Sequence, residues 1–502
     1  MQLPEALSAF KLWKTAKSPL LYEFDHMPCR ELTDDIGCDL TRDAGRQAWR
    51  FGHEGVIAAD LRYFSMREEL TMQRLILWTA ALAALPLAAS AQTEISWWHA
   101  MTGANNEVVE KMAADFNASQ KDYVLKPVFK GTYPETLNAG IAAFRAGQAP
   151  DIMQVFDVGT GVMMNAQGAI KPVADVLTEG GYKFDKSQYL PGIVGYYSTP
   201  EGNMLSFPYN SSSPIMYYNK DIFAKAGLDV DNPPKTWAEV WAAARKIKES
   251  GAATCGYTST WLTWIHTENF AAWNNVSWAS NENGLAGTPE LKIDGPLFVK
   301  HFDELATLGK EGVFVYGGRT SEAKQNFTSG ECGILTESSG GLGDIVKAGI
   351  NYGIGQLPYD ETAEGAPQNT TPGGASLWVM AGKSAEQYKG VAAFFNFLSQ
   401  TEVQQYLHEQ SGYLPVTLAA YEATKASGFY EKNPARQTPI LQMMGKPPTE
   451  NSKGVRAANL PQLRDIQNEE YEKLLAGQQT AEQALKAAVE RGNAAIKEAY
   501  AQ

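Results

Sequence analysis

The sequence predicts an α/β protein of two lobes, and three observations lead there. Its 502 residues exceed what one hydrophobic core usually organises. From Gln92 onward strand-like and helix-like segments alternate, the rhythm of a layered α/β architecture with a mostly parallel sheet. No Pro/Ser-rich linker, internal repeat or low-complexity tract divides that region, so two lobes would share a chain that passes between them more than once.

The elements follow in order. Glu94–His99 (EISWWH) reads as a short buried strand. Asn106–Ser119 places Val109, Met112, Ala113 and Phe116 at helical spacing. Tyr123–Lys130 is strand-like, Pro134–Gly147 helical and Asp151–Phe156 strand-like again. Ligands of such sheets bind beyond the carboxyl ends of strands, which singles out the loop opening with Asp157. Farther on, three capping boxes announce helices. Thr236 with Glu239 heads one whose apolar side is Trp237, Val240, Trp241, Ala244 and Ile247. Ser384 with Gln387 heads another through Phe394, Phe395 and Leu398, and Thr480 with Gln483 opens a C-terminal helix through Ala488 and Ile496.

The composition, 44% hydrophobic and 20% charged, provides material for a core and argues against wholesale disorder. A net charge of −13 excludes a surface built to track nucleic acid, because no basic field opposes the phosphates. It leaves room for one small anion held by a buried Arg and neutral donors. Met72–Ala91 has the form of an export leader: Arg74, an apolar run from Leu75 to Ala89, then Ala89-Ser90-Ala91 for cleavage. With no Cys after the cleavage point, the mature chain is expected to start at Gln92 and to reside in the periplasm without a lipid anchor. Residues 1–71 show no sustained periodicity and read as disordered translation upstream of a true start at Met72 or Met66.

Signatures of catalysis are missing: no G-x-x-x-x-G-K-[ST], G-x-S-x-G or H-E-x-x-H occurs. His99, His266, His301 and His408 are scattered singly and read as surface or hydrogen-bonded core residues; no metal or cofactor is expected. Asp360-Glu361 reads as a solvated loop. Cys255 and Cys332 either form one disulfide or remain buried thiols, a choice that spacing alone leaves open.

Several segments resemble the family-1 extracellular solute-binding proteins: YYNKDIFAKAGLD (217–229), PPKTWAEV (233–240) and GGASLWVM (373–380). Others are similar to its phosphate-binding branch: KGTYPETLNAGIAAFRAGQAP (130–150), PYNSSSPIMYYNK (208–220), WIHTENFAAWN (264–274), TESSGGL (336–342), SGYLPVT (411–417), GFYEKNP (428–434) and NLPQLR (459–464). The likeness covers essentially all of 92–502 and none of 1–71. It implies the two-lobed periplasmic-binding-protein fold, with several interlobe crossings and a ligand cleft. Lobe one would hold 92–207 with 376–413, and lobe two 208–375 with 414–502.

The resemblance also implies a ligand, sn-glycerol-3-phosphate or a glycerophosphodiester, and a partner, an ABC permease heterodimer with its cytoplasmic ATPase. The protein would act as a monomer and carry out no bond chemistry. Carried over by position, Arg464 would grip the phosphate through its planar fork. Ser212 and Ser338 would donate hydroxyls, Gly374 a backbone N–H and Tyr413 a phenolic O–H. Tyr133 and Asp157 would address the glycerol hydroxyls and Trp261 the apolar edge. At one position this sequence departs from the relative it resembles, which carries Glu where Asp157 stands. Each residue taken alone has a plainer reading: the serines as turns, Arg464 as a surface charge, the aromatics as packing. A neutral-sugar receptor, a glycerophosphocholine receptor and a periplasmic phosphodiesterase are the competing functions.

Overall fold

The computed structural model describes residues 92–199 and 201–501; the leader and the 1–71 segment lie outside the described residues. The strands are β1 (Thr93–His99), β2 (Tyr123–Phe129), β3 (Ile152–Phe156), β4 (Ile170–Lys171), β5 (Phe207–Ser212), β6 (Pro214–Asn219), β7 (Cys255–Ser259), β8 (Phe314–Tyr316), β9 (Cys332–Ser338), β10 (Tyr352–Gln356) and β11 (Gly373–Met380). The helices that position the site are α1 (Gly103–Ser119), α2 (Tyr133–Arg145), α3 (Trp237–Glu249), α4 (Pro296–Lys310), α5 (Lys324–Thr328), α6 (Leu342–Lys347), α7 (Ala385–Leu398), α8 (Leu460–Leu475) and α9 (Ala481–Ala499). Among the described residues no helix is long and apolar enough to cross a membrane.

Two sheets give two lobes. The first runs β2-β1-β3-β11-β4 with β5 also on β11, and the second β10-β6-β9-β7-β8. The expected parallel sheet is corrected to two mixed ones. β1 pairs in parallel with β2 and β3, and β7 with β8 and β9. β11 is antiparallel to β3, β4 and β5, and β6 is antiparallel to β9 and β10. The reason is directional. Strands built by βαβ units end at the cleft, whereas β6 and β11 enter their sheets from the other lobe and so begin there.

Periodicity becomes packing in the way the sequence implies. Val109, Met112, Ala113 and Phe116 of α1 are buried with Trp97, Phe394 and Phe395 in one core. Trp237, Val240, Trp241, Ala244 and Ile247 of α3 are buried with Phe302, Leu463 and Leu485 in another. The three capping boxes form, and a fourth, Thr132 with Glu135, starts α2. Cys255 and Cys332 are opposite one another on β7 and β9 and form a disulfide, which decides the choice the sequence left open. His266 Nδ1 and His301 Nε2 lie 2.8 Å apart inside the second core. Asp360 is corrected: it is 4% exposed and pairs with Lys300 at 2.9 Å, while its Oδ1 accepts from the Thr362 N–H at 2.9 Å. A buried carboxylate of this kind turns the chain before β11, and only Glu361 faces solvent.

The chain crosses between lobes at three places: Ser213 separates β5 from β6, residues 357–372 lead from β10 to β11, and the chain beyond Met443 reaches α8. Hydrogen bonds tie these crossings together. Ser213 Oγ lies 2.7 Å from Thr370 Oγ1, and Gln442 Nε2 donates to Ser213 Oγ and to the Pro214 carbonyl, both at 2.8 Å. Thr370 N–H donates to the Gln442 carbonyl at 3.0 Å.

Candidate ligand-binding cleft

Between the sheets lies a cavity of about 130 Å³. Tyr133, Asp157, Ser212, Trp261, Ser338, Gly374, Tyr413 and Arg464 all line it, although they come from eight separate parts of the chain. Local structure explains each position. Tyr133 opens α2, Asp157 follows β3, and Ser212 and Ser338 end β5 and β9. Trp261 follows β7 with φ at 47°, a left-handed backbone that a bulky residue adopts only under constraint, and its N–H donates to the Thr320 carbonyl at 3.1 Å. Tyr413 follows the left-handed Gly412, and Arg464 sits in the first two turns of α8.

One part of the cavity offers neutral hydrogen-bonding groups. The hydroxyl of Ser212 is buried without a partner among the described residues, an unfavourable state unless a further group meets it. Ser338 Oγ accepts from the Gly340 N–H at 3.1 Å. Tyr133 stacks on Phe156 with ring centroids 5.3 Å apart, and its hydroxyl accepts from Asn210 Nδ2 at 2.9 Å. Burial holds the phenols of Tyr133 and Tyr413 above their usual range, so both keep a proton to donate. Gly374 has φ at +85°, and a Cβ there would stand 1.9 Å from the Asn210 carbonyl oxygen. Close approach to β5, beyond any approach to a ligand, therefore requires glycine.

The charged part differs from the sequence reading. Arg464 is buried, but its Nε and Nη2 donate to Glu268 Oε1 and Oε2, both at 2.7 Å, and Nη2 also donates to Asp157 Oδ2 at 3.0 Å. The fork expected to face a phosphate thus faces Glu268, and Nη1 alone has no protein partner among the described residues. Burial opposes the guanidinium charge, yet Glu268 and Asp157 outweigh it and hold Arg464 ionised. Burial pushes the Asp157 carboxyl up to about 7, against the pull of Arg464 and helped by Glu268. Glu268 was missed because nothing in the mixed segment WIHTENF marks one polar residue as facing inward; a wide helical turn over Trp264–Asn269 buries it.

Lys324, Glu337 and Asp344 also line the cavity and were not foreseen. Lys324 Nζ pairs with Asp344 Oδ2. Asp344 Oδ1 accepts from the Ala104 N–H at 3.2 Å, while Asn105 Nδ2 donates to the Gly340 carbonyl at 2.9 Å. Both bonds join α1 of the first lobe to the start of α6 in the second, and with Arg464–Asp157 they fasten the cleft closed. A spacing signal existed for Glu337, which precedes Ser338 in the TESSGGL segment; nothing marked Lys324 or Asp344.

Comparison with known proteins fits this geometry. The family described as bacterial extracellular solute-binding protein matches residues 111–438. A relative from Agrobacterium fabrum, named sn-glycerol-3-phosphate-binding periplasmic protein UgpB, is 71% identical over 435 residues, 86% of this chain and 99% of that protein. The Escherichia coli K12 protein of the same name is 49% identical over 427 residues, 84% of this chain and 97% of its own. UgpB from Mycobacterium tuberculosis, solved in complex with glycerophosphocholine, superposes with a TM-score of 0.69 at 19% identity, covering 82% of this chain and all of that one, a likeness of fold. With a two-sheet architecture, a cavity between the sheets and these relatives, the chain belongs to the bacterial extracellular solute-binding protein family, in the branch of the sn-glycerol-3-phosphate-binding periplasmic proteins.

Proposed function

We propose that this chain is the periplasmic receptor of an ABC importer and that it captures sn-glycerol-3-phosphate. The observation that carries the reading is the convergence of eight residues, distant in sequence, on one cavity between the lobes. The phosphoryl group would meet the hydroxyl of Ser212, which has no partner among the described residues, with Ser338, Tyr413 and the backbone at Gly374 beside it. The glycerol hydroxyls would lie toward Asp157 and Tyr133, where Arg464 Nη1 remains to donate and Trp261 covers the carbon edge. A buried water takes roughly 10–15 Å³ of such volume, so the cavity suits about ten non-hydrogen atoms, the size of this monoester. That favours it over maltose and over the bulkier glycerophosphodiesters.

In this reading no bond is made or broken. An open form takes the anion, the second lobe rotates onto it, and water leaves, which strengthens each remaining contact. The closed monomer then presents its cargo to a permease heterodimer driven by a cytoplasmic ATPase. The division into two lobes belongs to the same proposal, with margins shifted from 92–207 with 376–413 and 208–375 with 414–502. β5 and the start of β11 join the first sheet, and Leu414, Val416, Tyr430, Ile440 and Met443 pack in the first core, so the first lobe would run over 92–212 and 373–443. Calorimetry of the purified protein against glycerol-3-phosphate, glycerophosphocholine, maltose and inorganic phosphate tests it. The monoester should bind tightest. Tighter binding of glycerophosphocholine or maltose would overturn the choice of ligand.

A further inference from the structure

Glu337 is a carboxylate of the cavity with a buried oxygen left over among the described residues. Its Oε1 accepts from the Ser338 N–H at 2.7 Å, and the residue is 2% exposed. Its Oε2 is buried and has no hydrogen-bond partner among the described residues. The side chain lines the cavity beside Ser338 and Gly340, where the reading above puts the phosphoryl group. An ionised Glu337 would oppose any anion placed there, at short range and away from water.

The surrounding charges do not remove that opposition. Lys324 on α5 faces Glu337 but is already paired with Asp344 on α6. Tyr413, from the segment after 401–411, and Tyr217, on β6, bring neutral phenols, and Thr260 after β7 a hydroxyl. With both carboxylates ionised the cluster of Lys324, Glu337 and Asp344 carries one net negative charge. With Glu337 protonated it is neutral, and Oε2 becomes a donor.

We propose that Glu337 enters the bound state protonated and donates from Oε2 to a phosphoryl oxygen, so that capture of the dianion takes up one proton from solvent. This rests on the cavity being an anion site. Burial, the leading influence, already brings the carboxyl up to about 7 in the absence of ligand, against the pull of Lys324. A phosphoryl dianion raises it further, so the uptake falls in the range above pH 7. The second ionisation of a phosphate monoester lies near 6, so in that range the ligand keeps its charge and the proton belongs to the protein.

The test is calorimetry with glycerol-3-phosphate at pH 7.0, 7.5, 8.0 and 8.5, each in two buffers of different protonation enthalpy. The wild-type protein should take up close to one proton per ligand at pH 8, and its Kd should rise toward tenfold from pH 7.5 to 8.5. Glu337→Gln keeps a donor without a titration: it should bind at pH 7 within a few-fold of wild type, with a flat profile and no proton uptake. Asp157→Asn, which removes the other carboxyl held near neutrality, should leave the uptake in place. Binding without proton uptake by the wild-type protein overturns the proposal and leaves the ligand assignment standing. Uptake that persists in Glu337→Gln, or that vanishes in Asp157→Asn alone, moves the proton to another group and overturns it as well. Absence of binding at every pH overturns the ligand assignment itself.

Discussion

Replacing Arg464 with alanine removes the cation between two buried carboxylates, Glu268 at 2% exposure and Asp157 at 7%. Breaking a buried pair by deleting one partner costs about 3–5 kcal/mol, because the partner left behind is charged and dry. The loss is pH-dependent, and its sign follows from the carboxyls. Asp157 stands at about 7 even with Arg464 present; without the guanidinium it rises further in the folded state. A carboxyl raised by folding costs stability as pH rises through the folded value. The variant should therefore be weakest above pH 7 and recover toward wild type at pH 5.5, where protonation removes the uncompensated charge. Ligand affinity should fall separately, by about 1.5–3 kcal/mol for one charge-assisted donor, roughly ten- to hundredfold in Kd. Urea unfolding at pH 8 and pH 5.5, with calorimetry against glycerol-3-phosphate, measures both. Arg464→Lys keeps the charge but not the fork and should fall between. An alanine variant with an unchanged urea midpoint at pH 8 refutes the burial argument, and one with an unchanged Kd removes Arg464 from the site.

Four other outcomes follow from the geometry. Gly374→Ala combines a left-handed backbone with a Cβ 1.9 Å from the Asn210 carbonyl; strain alone costs about 1–3 kcal/mol, so its melting temperature should drop and its affinity with it, as differential scanning fluorimetry and calorimetry would read. Asp344→Ala deletes the acceptor of the Ala104 N–H across the cleft, worth about 0.5–1.5 kcal/mol; stopped-flow dissociation should quicken by roughly two- to tenfold, and an unchanged rate would deny the clasp. The double variant Cys255→Ala, Cys332→Ala opens a bridge of sequence separation 77, and its urea midpoint should report about 2–4 kcal/mol less stability. Glu337→Gln removes a carboxyl that folding raises to about 7. The variant should be more stable than wild type by about 2–4 kcal/mol at pH 8, and the difference should disappear by pH 4, where both side chains are neutral.

Much of the fold was readable because it rests on local rules. Ser384 with Gln387 and Thr480 with Gln483 announced their helices by chemistry that operates within four residues. Strand direction was not readable, since an alternating pattern is the same forwards and backwards, and only the crossings make β6 and β11 run against their neighbours. At the site, resemblance put the eight residues together, but the partners of Arg464 depend on a wide turn at Trp264–Asn269 that composition does not announce. Lys324 and Asp344 look like solvated charges in sequence and come together only because α5 and α6 flank β9 at the cleft. Asp360 misled for the same reason: its burial depends on Lys300, sixty positions away.

The bonds that join Ser213, Thr370 and Gln442 have a mechanical consequence. Three passes of chain knotted at one point act as a common pivot, so the lobes swing about it together and cannot slide independently. Atoms beside a pivot barely travel. Ser212, next to it, should keep nearly the same place whether the jaws are apart or shut, whereas Asp344 and Ala104 sweep the longest arc. A visiting anion would thus find its first handhold already standing, and the far rim would arrive last as the catch.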